Sequence, residues 1–144
     1  MRILIADDNT IVRVDLRATL EEAGHVVCAE ARDGLEAVEL ARETLPDLAI
    51  LDVRMGRLHG IEAARRIARE RPIPIVILTG YGNYSVADLA LSTTAGSSYL
   101  GKPFSDSELE LAIEAAVSEH RLRPRTPTQA GLRGRLRALR TRAG

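Results

Sequence analysis

Three carboxylates, a hydroxyl and an ammonium stand at comparable points along this chain: Asp7 and Asp8, Asp52, Thr79, and Lys102 followed by Pro103. Each lies just beyond a short apolar run. Ile3-Leu4-Ile5-Ala6 precedes the acidic pair, Leu48-Ala49-Ile50-Leu51 precedes Asp52, Ile75-Val76-Ile77-Leu78 precedes Thr79, and Tyr99-Leu100-Gly101 precedes the lysine. Such runs read as strands of a parallel sheet buried on both faces, and these sheets bind ligands beyond the carboxyl ends of their strands. The five side chains would then converge. Carboxylates so crowded cannot all stay ionised without a compensating cation, which makes an oxygen site for a hard divalent ion such as Mg²⁺. With that charge balanced by metal and lysine, one carboxylate can act as a nucleophile toward a phosphoryl group. Thr79 would hydrogen-bond to one phosphoryl oxygen and Lys102 would pair with another.

The elements that must hold these groups are visible in the periodicity. Val12, Leu16 and Leu20 recur every four residues up to Ala23, and Gly24 ends the segment as a helix C-cap. His25 to Ala29 read as a second strand. Asp33-Gly34 starts a second helix, in which Leu35, Val38 and Ala41, or Ala37 and Leu40, face the sheet, and Pro46 closes it. Ile61, Ala64 and Ile67 mark a third helix that stops at Arg71-Pro72. Gly80-Tyr81-Gly82-Asn83 reads as a loop, followed by a weakly helical stretch from Ser85 to Gly96 that is poor in strong helix formers. Ser105 and Glu108 form a capping box for a last helix through Leu109, Ile113, Ala116 and Val117. Five strands thus alternate with five helices. Right-handed crossovers place helices on both faces, giving a flavodoxin-like, doubly wound, five-stranded parallel sheet flanked by five helices.

The segments ILIADDN, PDLAILDVRM with Gly60 after it, PIVILTGYG and YLGKPF, in this order and spacing, resemble the receiver domain of two-component response regulators over residues 1–120. That resemblance implies that Asp52 accepts a phosphoryl group from a sensor histidine kinase in a Mg²⁺-dependent reaction. By the same resemblance Asp8 and Asp52 bind the metal directly, Asp7 acts through water, and the backbone carbonyl of Arg54 completes the protein ligands. Thr79 and Lys102 bind the phosphoryl group, Tyr99 is the switching aromatic, and Lys102-Pro103 carries a cis peptide. The chain would catalyse only its own phosphorylation and dephosphorylation, and would signal or dimerise through a face made by the fourth helix, fifth strand and fifth helix.

Plainer readings exist for the same residues. Asp7 and Asp8 could be acids favouring a helix N-terminus, Thr79 a strand-end hydroxyl and Tyr99 an interfacial aromatic. A metal-dependent phosphatase of the aspartyl-phosphate type fits less well, because Arg54 stands where that class carries a second acid. Two positions depart from the receiver pattern. Met55 is followed by Gly56 where proline is usual, which predicts a more flexible loop. Arg54 and Tyr81, each two residues beyond a site residue, would shield the phosphoryl group and slow its loss.

Composition adds charge polarity. Residues 1–120 hold 12 Lys and Arg against 20 Asp and Glu, a balance of −8, whereas residues 121–144 hold 8 Arg and no acid. The net zero hides two opposed halves. Residues 121–144 read as a separate Arg-rich tail, disordered or partly helical, with Pro124, Pro127, Gly131 and Gly134 and a leucine repeat at Leu132, Leu136 and Leu139. Its arginines, among them Arg133, Arg135, Arg137 and Arg140, could neutralise the phosphates of RNA or another polyanion, or fold back on the acidic domain. The flow of the receiver segments also looks like the receiver half of antiterminator-type (ANTAR) regulators, although the RNA-binding module of that subfamily is not present in these residues. The apolar runs are too short to span a membrane, so a cytoplasmic protein is expected. The lone Cys28 excludes an internal disulfide, and His25 and His59 have no second ligand at metal spacing.

Overall fold

The computed structural model describes residues 1–80 and 97–122. In chain order these form β1 (Arg2–Ala6), α1 (Thr10–Glu22), β2 (Val26–Ala31), α2 (Gly34–Thr44), β3 (Leu48–Asp52), α3 (Gly60–Glu70), β4 (Ile75–Thr79), β5 (Ser97–Gly101) and α4 (Asp106–Leu122). The strands pair in parallel in the order β2-β1-β3-β4-β5. α4 is the last of the helices read from the sequence. The weakly helical stretch from Ser85 to Gly96 and the tail from residue 123 lie outside the described residues, so among these there are four helices around the sheet.

Alternation along the strands explains the layers, because successive side chains point to opposite faces of a sheet. Ile3, Ile5, Leu48, Ile50, Val76 and Leu78 share one buried cluster with Leu16 and Leu20 of α1 and Leu109 and Ile113 of α4. Leu4, Ala6, Ala49, Leu51, Ile75 and Ile77 share the other with Val38 of α2 and Ala64 and Ile67 of α3. Both faces are therefore covered, and β3 is buried at every position. That is the reason its sequence is a continuous apolar run.

The helix ends follow the expected cap chemistry with small shifts. Ala23, not Gly24, is the C-cap of α1; Gly24 sits one residue further on with φ +89°, donating to Glu21 O, while His25 donates to Leu20 O. This satisfies carbonyls at the helix end that would otherwise be unpaired. At α4 the Ser105 hydroxyl accepts from Glu108 N at 3.1 Å and the Glu108 carboxylate accepts from Ser105 N at 3.3 Å, the reciprocal pair of a capping box. β2 begins at Val26 and runs to Ala31, later than the pattern indicated. A bulge explains the difference: Ile3 pairs with Val27 but Leu4 with Ala29, so Cys28 is the extra residue and the strand continues to reach Ala6.

Candidate functional site

The sheet register assembles the polar residues. Ala6 pairs with Leu51, so the next step along both strands sets Asp7 beside Asp52. Asp52 pairs with Leu78, and Thr79 pairs with Gly101, which brings the end of β4 and the start of the Lys102 loop to the same edge. Lys102 N donates to Thr79 O at 2.8 Å, and the Lys102–Pro103 peptide is cis. Its Nζ then lies 2.8 Å from Asp7 Oδ2 and 3.3 Å from Asp52 Oδ1. Asp7, Asp8 and Asp52 each bring a carboxylate oxygen within 4.8 Å of the others. Asp7 and Asp52 are buried, and Asp8 is exposed at the rim.

One ammonium does not balance three carboxylates. Burial pushes the Asp52 carboxyl up, the charge of Asp7 raises it further, and Lys102 only partly opposes them, leaving it at about 6. For Lys102 burial works against the charged form, yet the hydrogen bond to Asp7 and the two carboxylate charges outweigh it and hold the ammonium above its ordinary range. The donor set is all oxygen, anionic and short of positive charge, which fits a hard divalent cation such as Mg²⁺. One Asp7 oxygen accepts from Asn9 N at 2.9 Å and the other from Lys102, whereas Asp8 faces solvent with no ion-pair partner among the described residues.

Several residues support the cluster, and two of them, Arg13 and His59, lie outside the motifs read from the sequence. Arg13 is buried although α1 would place an arginine outside; its guanidinium donates to Asp7 O at 2.6 Å and to Thr10 Oγ1 at 3.3 Å, and lies 3.8 Å from Glu30. Asn9 caps α1 by accepting from Ile11 N and Val12 N while its own N–H holds Asp7. Gly60 abuts the back of the site: a Cβ there would lie 1.9 Å from Asp52 O. His59 caps α3, accepting from Ile61 N at 3.3 Å, and burial together with the nearby charge of Arg54 keeps its imidazole below its usual range.

The loop after Asp52 is more tied down than Gly56 alone would indicate. Arg57 adopts φ +61° in a tight turn closed by Leu58 N donating to Gly56 O at 2.7 Å, and its guanidinium binds Asp33 Oδ2 at 2.8 and 2.9 Å. Leu58 packs on the α2–α3 core, and a Cβ on Gly34 would meet Leu58 O at 2.2 Å. Gly56 itself has open space around it. Tyr99 is half-buried against the same core, and burial raises its phenol. Tyr81, Arg133, Arg135, Arg137 and Arg140 lie outside the described residues.

A cavity of ≈ 290 Å³ between α2 and α3, flanked by Arg42 and Glu70, is separate from the carboxylates. A larger groove of ≈ 640 Å³ runs from Lys102, Pro103 and Phe104 along α1. No helix among the described residues is long and apolar enough to cross a membrane.

Comparison with known proteins agrees with this geometry. Residues 3–114 match the model of the response regulator receiver domain family. The transcriptional regulatory protein PdtaR of Mycobacterium tuberculosis is 48% identical over 120 residues, covering 83% of this chain and 58% of that protein. The response regulator MprA of Mycobacterium leprae is 40% identical over 119 residues, 81% of this chain and 51% of its own length. The chain thus spans about half the length of the curated relatives it matches. Among solved structures, the receiver domain of a modulated diguanylate cyclase from Desulfovibrio desulfuricans superposes with TM-score 0.74 at 31% identity, covering 83% of this chain and 95% of that one. A LuxR-family response regulator from Aurantimonas gives 0.72 at 37% identity, with 81% and 84% covered. Phosphorylation by a kinase is the general function of such domains, and they generally bind Mg²⁺ at an acidic pocket. By fold, pocket and relatives alike, the chain belongs to the response regulator receiver domain family.

Proposed function

We propose that Asp52 is the phosphoacceptor of this domain and that a sensor histidine kinase is its donor. The observation that carries this reading is the clustering of Asp52 with the carboxylates of Asp7 and Asp8 and with Lys102 Nζ, 3.3 Å away. A carboxylate oxygen of Asp52 attacks the phosphorus in line, the phosphorus–nitrogen bond to the donor histidine breaks, and its electron pair returns to the imidazole. Asp8, Asp52 and the Arg54 backbone carbonyl would hold Mg²⁺, with Asp7 acting through water. Bound there, the ion supplies positive charge against the phosphoryl oxygens. Lys102 pairs with one of those oxygens and is held for that task by Asp7. Thr79 closes on another, and Tyr99, one strand over and two residues before Gly101, follows that movement.

On this reading the domain is a switch and not a turnover enzyme. Its output is a changed affinity for a partner or a second copy through the face that includes β5 and α4. A second reading, an RNA-binding or other polyanion-binding regulator of antiterminator type, is favoured by one observation: residues 121–144 contain 8 Arg and no acid. Incubation with Mg²⁺ and acetyl phosphate, followed by intact mass, tests the first reading. A gain of one phosphoryl group in the wild type and none in Asp52→Asn is expected, and uptake by Asp52→Asn overturns the assignment. RNA affinity that falls steeply with salt and disappears when Arg133, Arg135, Arg137 and Arg140 are replaced by Gln would support the second.

A further inference from the structure

Two large apolar side chains in the first half of α1 face solvent. Ile11 is 79% exposed and Val14 63%, and they line the ≈ 640 Å³ groove whose other wall is Pro103 and Phe104. Lys102 also lines it, so the groove opens directly beside the carboxylate cluster. Its surroundings are acidic. Asp15 lines it, Asp8 is exposed two residues before the helix, and neither has an ion-pair partner among the described residues. An occupant would need apolar side chains on one face and positive charge around them.

Residues 123–144 of the same chain meet both conditions. Leu132, Leu136 and Leu139 follow a helical spacing, and Arg133, Arg135, Arg137 and Arg140 surround them. Reach is sufficient. α4 starts just after Phe104 and its 17 residues span about 26 Å. Residues 123–135, extended, can cover about 40 Å, enough to return to the end of α4 beside the groove. Charge complementarity is carried by the chain itself, −8 over residues 1–120 against 8 Arg beyond them.

We propose that residues 132–140 dock intramolecularly in the groove between α1 and the Pro103–Phe104 segment, with the leucines on Ile11, Val14 and Phe104 and the arginines toward Asp8 and Asp15.

The test uses the full 144-residue chain with Cys28→Ser and Ala138→Cys, a nitroxide on the new cysteine, and methyl labelling of Ile, Leu and Val, without phosphoryl donor. Ile11, Val12 and Val14 methyls are expected to lose most of their intensity while the label is paramagnetic. The loss should be unchanged on dilution, diminished in high salt, and removed by Leu136→Ser with Leu139→Ser. Asp52→Asn in the same background should give the same broadening, so a failed phosphoacceptor assignment leaves this result standing. Unaffected α1 methyls overturn the proposal, as for a tail that serves only a polyanion. Broadening that appears only when spin-labelled chain is mixed with separate isotope-labelled chain also overturns it, in favour of a second copy.

Discussion

Asp52 is held where an ionised carboxylate is disfavoured, and this gives the metal-free protein a definite pH dependence. Its folded value of about 6 lies above the ordinary 3.8, so the fold binds the Asp52 proton more tightly than the unfolded chain does. The sign follows: this group's contribution is neutral below pH 3.8, becomes unfavourable as pH rises toward 6, and stays so above. Asp52→Asn should therefore stabilise the metal-free domain at pH 7 by up to ~3 kcal/mol and have little effect near pH 4, measured by urea unfolding with chelator present. Equal stability differences at the two pH values would contradict the burial and charge argument. Arg13 is the complementary case, a buried cation whose bond to Asp7 O fixes the backbone of the acidic pair. Arg13→Met should cost roughly 2 kcal/mol and weaken phosphoryl uptake, because Asp7 O loses a charged donor. Gly60→Ala should cost about 1–3 kcal/mol as its Cβ drives into Asp52 O, with a matching fall in phosphoryl uptake.

At the scale of elements, the β3–α3 loop is governed by a contact to another element. Arg57 reaches Asp33, the N-cap of α2, and that carboxylate, which burial alone would raise, is held below its ordinary range by the amide of Glu36 and by Arg57. Arg57→Ala is expected to speed amide exchange at Leu58 while leaving exchange in β3 unchanged, read by hydrogen–deuterium exchange. The same loop shows where sequence reading stops. β1, β3 and β4 were legible because strands buried on both faces are continuous apolar runs, and α4 was legible because Ser105 and Glu108 are a local motif. The clustered side chains of Asp7, Asp8, Asp52 and Lys102 stood out by their position at those strand ends. β2 was read with the wrong ends because it is an edge strand with half-buried Cys28, Ala29 and Glu30, and because a bulge shifts its register. Arg13 was hidden since an arginine on an amphipathic helix reads as surface; only the folded position of Asp7 O makes burying it favourable. The positive φ of Leu45 and Arg57 was equally hidden, because tertiary contacts and not residue type enforce it.

For the molecule as a whole, the acidic edge is a place where ligand binding and global stability are linked. The carboxylates belong to strand ends whose cores lie on both faces of one sheet, so a cation bound by Asp8 and Asp52 stabilises the entire cooperative unit. Such linkage amounts to roughly 3 kcal/mol at a hundredfold excess of Mg²⁺ over its Kd. With each 1 kcal/mol worth about 4 °C for a domain of this size, thermal denaturation should rise by about 10 °C on adding Mg²⁺ to chelated protein. NaCl at matched ionic strength is the control, because salt also screens the repulsion among the carboxylates. Asp8→Asn separates metal binding from folding: Asp8 is exposed, makes no ion pair among the described residues and its charge opposes ionised Asp52, so the metal-free variant should melt no lower than wild type. It should nevertheless lose most of the Mg²⁺-dependent rise, because a ligand that Asn cannot match in charge has gone. An Asp8→Asn protein that Mg²⁺ stabilises as strongly as wild type would remove Asp8 from the metal site and leave the acidic edge without its proposed use.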